Sequence, residues 1–418
     1  MVASIFRISP LDKINVTGMT KSRATTLLLF LLSAATVLQA AIPWQLNDLR
    51  KTPRTWEAPN PGEPGVKAVW IAGPAFKGKP TRAFAYYGIP SNPAGGKPPA
   101  MVLIHGGGGT AFAEWVRMWN AKGFAAIAID TVGTIPAKAE GPQLWSPARK
   151  RHDFSGPAGW GDFVNVDAPI TDQWSYHAVS VAILAHSFLR AQPGVDAKRI
   201  GVTGISWGGY LTDIVTSLDH RFRFGIPIYG CGFLGEDSAW LGDLAKLGPE
   251  RAAKWLKLWD PSSYLPLGRR PMFWINGTND FAYVMPSWQK SYRLPKGERL
   301  LSLQVRMKHS HPDGAKPAEI FAYAEAKLKG GPALLKVGKQ GPAWAVYHAK
   351  QAAPVKAELC FTRDTGKWQE RKWETIPAAI DARTHRVSAT IPEGARVHYL
   401  NLVDARGLIV STEHITTP

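Results

Sequence analysis

Between a strand-like run, Arg199–Thr203, and a helix-like run, Gly208–Leu218, the chain reads Gly204-Ile205-Ser206-Trp207-Gly208-Gly209. Small residues two before and two after a serine permit a sharp strand-to-helix corner, because a larger side chain at either place would meet neighbouring backbone. A serine hydroxyl is a poor nucleophile at neutral pH unless it is presented to a base, and such a corner presents it. The following helix adds its N-terminal dipole beneath the hydroxyl. Ser206 is therefore the candidate nucleophile, and the motif demands a fold made of strand–helix units.

The rest of the chain supplies those units. Ala100–Ile104 and Phe124–Ile129 are apolar throughout, as strands buried on both faces should be. Val66–Ile71 and Arg82–Gly88 read as two edge strands, and Phe224–Tyr229, Pro271–Ile275 and Leu301–Met307 complete the series. Residues 172–190 repeat Trp174, Ala178, Val181 and Leu184 or Ala185 on one side, which predicts a helix, and Ala318–Leu328 predicts a closing one. Alternating strands and helices imply an α/β architecture with a mostly parallel sheet covered on both faces. A long loop rich in Gly, Pro and Trp runs from Thr131 to about Pro169, a length that usually serves function or cover. After Gly330-Gly331 the pattern changes to short strands parted by turn residues: Trp344–His348, Ala357–Phe361, Val387–Ile391, Val397–Leu402 and Leu408–Thr412. That predicts a small all-β sandwich. The expected organisation is a signal peptide over 1–40, an extended lead-in over 41–65, a catalytic domain over 66–330 and an accessory sandwich over 331–418.

The N-terminal expectation rests on Lys21 and Arg23, the apolar run Thr26 to Leu38, and the small residues Ala40-Ala41. A basic start, a short apolar stretch and a small-residue end make a secretory signal, and the run is too short to span a bilayer. Export to the periplasm or medium follows, with no stable membrane span once the signal is removed. Cys231 and Cys360 are the 2 cysteines and should be unpaired, so stability must come from the core. The formal charge of +18 favours anionic surroundings. Its charges are scattered, with no arginine-rich stripe, so nucleic acid is not an expected partner.

His105-Gly106-Gly107-Gly108-Gly109 follows the strand Ala100–Ile104. Developing oxyanion charge needs preorganised N–H donors, and glycines let backbone approach the reacting atoms closely. The amide of Trp207 and that of Gly107 or Gly108 are the candidate donors, Gly107 preferred; the Lys and Ser/Thr of a phosphate loop are missing. The acid should come from a loop after a later strand, and Phe273-Trp274-Ile275-Asn276-Gly277-Thr278-Asn279-Asp280 runs from strand into turn, so Asp280 is preferred to Asp237 and Asp260. The base lies in Lys308-His309-Ser310-His311-Pro312: His309, nearer the strand end, is favoured, with His311 as the alternative. A metal site from His309, His311 and Asp313 is a short, unspecific pattern that explains less. Aromatic Trp207, Phe281, Tyr283 and Trp288 suit either stacking on a sugar or aryl group or plain packing.

Asp172-Gln173-Trp174-Ser175-Tyr176-His177-Ala178, the stretch 199–211 around Ser206, and Asn276-Gly277-Thr278-Asn279-Asp280 resemble secreted bacterial α/β-hydrolases. These are grouped with acetylxylan esterases and the catalytic domain of the prolyl oligopeptidase family. The resemblance covers about residues 65–330. It implies the α/β-hydrolase fold, a Ser206–Asp280–His309 triad, ester or amide hydrolysis, and no cofactor. Trp207 departs from the Gln of the esterases and the Tyr common in the peptidases, so substrate does not transfer. Too few residues precede the first strand for the β-propeller of the peptidases, which favours a carboxylic esterase acting on a small-molecule or carbohydrate ester. A peptidase, or a non-catalytic glycan-binding homologue, are the alternatives.

Overall fold

A computed structural model describes residues 42–60, 63–91, 96–137, 145, 148–348 and 352–417. The chain divides into two units, Met1–Trp44 and Gln45–Pro418, and every element below belongs to the second. The expected signal peptide lies outside the described residues. No helix among the described residues is long and apolar enough to cross a membrane.

The expected lead-in is not wholly extended: a short helix, α1 (Leu46–Leu49), precedes a strand, β1 (Thr55–Glu57). Next come β2 (Lys67–Phe76), β3 (Lys79–Gly88), β4 (Ala100–Ile104), α2 (Ala113–Ala121) and β5 (Ala125–Ile129). A hairpin of β6 (Thr134–Pro136) and β7 (Arg149–Arg151) lies within the long Gly/Pro-rich segment. Then follow α3 (Trp174–Ala191), β8 (Ile200–Ile205), α4 (Trp207–Leu218), β9 (Gly225–Ile228), α5 (Leu241–Leu247) and α6 (Pro249–Trp259). The last elements of this layer are β10 (Met272–Gly277), α7 (Met285–Tyr292), β11 (Arg299–Gln304), α8 (His311–Ala315) and α9 (Ala318–Lys329).

The main sheet has the order β1-β2-β3-β5-β4-β8-β9-β10-β11. From β5 through β4, β8, β9 and β10 to β11 the strands are parallel. The first three are antiparallel. Val66–Ile71 and Arg82–Gly88 are therefore not edge strands. The edge on that side is β1, whose three residues carry too little alternation to announce a strand. Strands β4, β5, β8 and β10 are buried along their whole length. Buried parallel strands have no solvent face, which is why their sequences are apolar without alternation.

After β4 the chain turns toward β5 on one side, and later enters β8 on the other. Loops leaving β4 and β8 thus part in opposite directions, and the gap at their carboxyl ends is the crevice where open α/β sheets bind ligands. His105–Gly109 and Ser206 leave from these two strand ends.

Helix α9 ends at Gly330, whose φ of 75° is the left-handed conformation that a side chain disfavours at a helix end. Beyond it lie β12 (Val337–Gly341), β13 (Trp344–Tyr347), β14 (Pro354–Thr362), β15 (Glu374–Pro377), β16 (Ala379–Asp381), β17 (Arg386–Ser388), β18 (Val397–Asp404), β19 (Ile409–Ser411) and β20 (Ile415–Thr416). They form two antiparallel sheets, β12-β13-β17-β16 and β15-β14-β18-β19, with β20 also on β18. This small β region covers the open edge of the main sheet. The Leu303 amide of β11 donates to Ser411 Oγ at 2.7 Å, and the Leu303 carbonyl accepts from Tyr399 Oη at 3.1 Å and Asn401 Nδ2 at 3.3 Å. An edge strand left bare would template association with another chain, and side chains here occupy its polar groups instead. Cys231 and Cys360 are both buried and unpaired.

Candidate active site

Ser206 sits between β8 and α4 with φ 60° and ψ −118°, a backbone conformation that costs a residue with a side chain about 1–3 kcal/mol. Its neighbours leave no choice of residue. A Cβ on Gly204 would lie 2.1 Å from the Gly208 carbonyl oxygen, and one on Gly208 would lie 1.9 Å from that of Ile104. The strand end, the corner and the helix start are thus pressed into contact, and the strain is held by the sheet beneath.

The other half of the site comes from β10 and β11. His309, just beyond β11, places Nε2 2.9 Å from Ser206 Oγ and Nδ1 2.6 Å from Asp280 Oδ2. The remaining Asp280 oxygen accepts from the amides of Ala282 at 2.8 Å and Tyr283 at 2.7 Å. The carboxylate is fixed by the turn after β10, and the imidazole is fixed by the carboxylate. Tyr229 stacks on the imidazole at 4.4 Å with an interplanar angle of 26°, and donates its hydroxyl to the Lys308 carbonyl at 2.6 Å. Desolvation pushes that phenol well above its ordinary range, with the Asp280 charge adding to the effect, so Tyr229 stays a neutral donor. In the sequence Tyr229 is only the last residue of the run Phe224–Tyr229. Its backbone has a positive φ of 64°, a feature that composition does not signal.

His311 does something else. Its Nε2 accepts the Gly106 amide at 2.9 Å, and its ring meets Phe112 edge-on at 4.9 Å. Burial above all, with like-charge repulsion from His105 and His309, lowers its pKa to about 3. A neutral ring with Nε2 accepting must carry its proton on Nδ1. His311 is therefore a strut for the glycine loop and is not placed to take the Ser206 proton. Asp313 bonds Ser310, so the His309, His311 and Asp313 groups all have other employment.

The glycine loop is held on every side. The His105 Nδ1 pairs with the Gly106 carbonyl at 2.8 Å, while its Nε2 accepts from the Thr131 amide at 3.1 Å. Desolvation depresses the His105 pKa and keeps that ring neutral. Arg149 donates to the Gly109 carbonyl at 2.8 Å, and the Gly109 amide to that of Gly106 at 3.1 Å. Among the described residues, the amides of Gly107, Gly108 and Trp207 have no acceptor. Gly107 lies over Trp207, where an added Cβ would approach the indole to 3.2 Å, and Gly106 lies against Ser206, whose Cβ would be 2.8 Å away. The glycine loop and the start of α4 thus lie against each other next to Ser206.

Of the candidate aromatics, Trp207, Tyr283 and Trp288 are buried and pack in the core. Phe281 is 52% exposed, with its ring 5.0 Å from that of His309. Asp260 is a structural cap that accepts the amides of Phe233, Leu234 and Ser262 at 2.9 Å.

Residues 168–323 match the prolyl oligopeptidase family. No curated protein matches the chain in sequence. Among solved structures, an acetyl xylan esterase from Paenibacillus sp. R4 is 18% identical with a TM-score of 0.50, over 70% of this chain and 99% of that one. A second acetyl xylan esterase, from Thermoanaerobacterium sp. JW/SL YS485, is 15% identical with a TM-score of 0.46, over 63% and 87%. An acylaminoacyl peptidase from Pyrococcus horikoshii is 18% identical with a TM-score of 0.44, over 63% of this chain and 42% of the peptidase. At such identities the likeness to the Paenibacillus enzyme is one of fold. The chain is an α/β-hydrolase by fold, with a small β region at its C-terminus and the prolyl oligopeptidase family's pattern across residues 168–323.

Proposed function

We propose that the protein is a serine esterase that cleaves carboxylic esters through an acyl-enzyme, with an acetylated carbohydrate as the substrate class. The observation that carries this reading is the unbroken Ser206–His309–Asp280 chain of hydrogen bonds at 2.9 and 2.6 Å. Ser206 Oγ attacks the acyl carbon while its proton passes to His309 Nε2. The amides of Trp207 and Gly107 receive the oxyanion. The tetrahedral adduct collapses, and the alcohol leaves with the proton from His309. Water then repeats the sequence on the acyl-enzyme, releasing acid and free Ser206. Asp280 holds the imidazole in the tautomer that has Nδ1 protonated and stabilises the imidazolium. No step calls for a cofactor.

The family match over 168–323 keeps a second reading in view, a peptidase using the same groups. Neutral esters and peptide amides separate the two. Purified protein should release nitrophenol from 4-nitrophenyl acetate and acetate from acetylated xylo-oligosaccharide, with little release from aminoacyl-nitroanilides. The reverse ranking would establish the peptidase. We further propose export directed by residues 1–40, and a division near Gly330 into catalytic and accessory parts. Recovery of intact, full-length chain from the cytoplasm alone would count against export.

A further inference from the structure

The C-terminal β region reaches back to the site. Asn279, next to Asp280, donates to three carbonyls of one turn: Arg371 at 2.7 Å, Trp368 at 3.2 Å and Gln369 at 3.3 Å. Between this turn and the loops before α5 and α7 lies a crevice of about 540 Å³, within the usual size of a small-molecule site. Phe281 lines it, so one residue borders both the crevice and the His309 imidazole. Asp237 lies on one wall. Burial raises its pKa, an effect that the Trp368 indole and the Arg371 guanidinium only partly offset. Arg371 covers a face of Trp368 at 3.5 Å, which leaves Phe281 as the open aromatic surface. Gln369 and Lys367 complete the polar rim.

We infer that this crevice is the leaving-group subsite, and that it takes a pyranose ring of a neutral oligosaccharide. The inference rests on the esterase reading for its place in the reaction. The leaving oxygen must receive its proton from His309, so the group bearing it lies on the histidine side of the site, where Phe281 stands. The acyl group lies opposite, against the glycine loop. An exposed aromatic face beside a carboxylate, a carboxamide and two cations matches a sugar ring. Its C–H face is apolar, and its rim of hydroxyls both donates and accepts. A C-terminal region that merely sealed the β11 edge would not need to contribute a wall here.

The test is binding of xylotetraose to the full chain carrying Ser206→Ala, measured by calorimetry, with tetra-alanine as the peptide counterpart. Binding of xylotetraose in preference to the peptide is expected. Adding Phe281→Ala should weaken it at least tenfold. Adding Gly366→Trp, at a lining position where a new Cβ meets nothing within 4 Å, should do the same by filling the crevice without strain. Thermal unfolding checks that each variant folds. Undiminished binding in both variants, or no xylotetraose binding at all, would overturn the subsite, and preference for the peptide would overturn its sugar class. Because the readout needs no turnover, failure of the esterase reading shows separately, as an inactive wild type that still binds the glycan.

Discussion

The two halves of the site are held by different physics. The half that carries Ser206, the proposed nucleophile, on β4 and β8, is fixed by steric exclusion: Gly208 fits because backbone occupies every place where a side chain would go. The half that carries His309, the proposed base, on β10 and β11, is fixed by side-chain hydrogen bonds and ring stacking around that residue, whose side chain retains 13% exposure. A site of this design has one rigid wall against which a polar, adjustable wall is set. The first should break completely under a small change, and the second should fail one interaction at a time.

Gly208→Ala tests the rigid wall and should give the largest effect. One methyl group, 1.9 Å from the Ile104 carbonyl oxygen, has nowhere to go. A loss of more than about 4 kcal/mol is expected, seen as insoluble or unfolded protein by circular dichroism. Near-native stability would show that exclusion does not hold this half.

His309→Ala should instead leave the fold intact while lowering kcat/KM by about 10⁴-fold, since the base is removed and nothing is crowded. His311→Ala separates a strut from a base. Losing the acceptor for the Gly106 amide should cost about 10–100-fold in kcat with KM little changed, because the proposed loop donors would act on the transition state. His311→Gln, which keeps an acceptor, should recover part of that loss. A His311→Ala defect as deep as that of His309→Ala would mean that the two histidines had been assigned the wrong way round.

These contrasts also mark what the chain makes legible. The corner motif, the buried strands and the position of Asp280 after β10 announce themselves because a glycine pattern or an unbroken apolar run has one physical cause. The two histidines do not. His309 and His311 are both polar, near a strand end and two residues apart, and what separates them is contact with residues 103 and 205 positions away. Helix α2 was also silent, because Phe112 offers no capping side chain and the helix is nine residues long. Helix α7 had its signal, with Pro286 in its first turn, but Trp288 read equally well as a cleft residue. Asn279 gave no sign of its role, since its partners arrive from a segment some 90 residues later.

Asn279→Ala should have a smaller effect, about two- to fivefold in kcat/KM, by loosening the turn that braces the Asp280 loop; a tenfold or larger loss would mean that the brace is part of the chemistry. The remaining effect is on pH. His311 and His414, both held near a pKa of about 3 by burial, bind protons in the unfolded chain before they do so in the folded one. Their contribution is fully present above pH 6.5 and is lost as pH falls from there toward 3. The melting temperature should decline over that window, and His311→Gln should flatten part of the decline. A melting temperature rising on acidification would contradict buried neutral rings.

The central claim, a hydroxyl made nucleophilic by His309 at the β8–α4 corner, is tested most directly by reaction with a fluorophosphonate, followed by intact-mass and peptide spectra. One adduct per chain is predicted, on the peptide containing Ser206, absent in Ser206→Ala and greatly slowed in His309→Ala. Labelling elsewhere, or hydrolysis of 4-nitrophenyl acetate by Ser206→Ala at the wild-type rate, would contradict it.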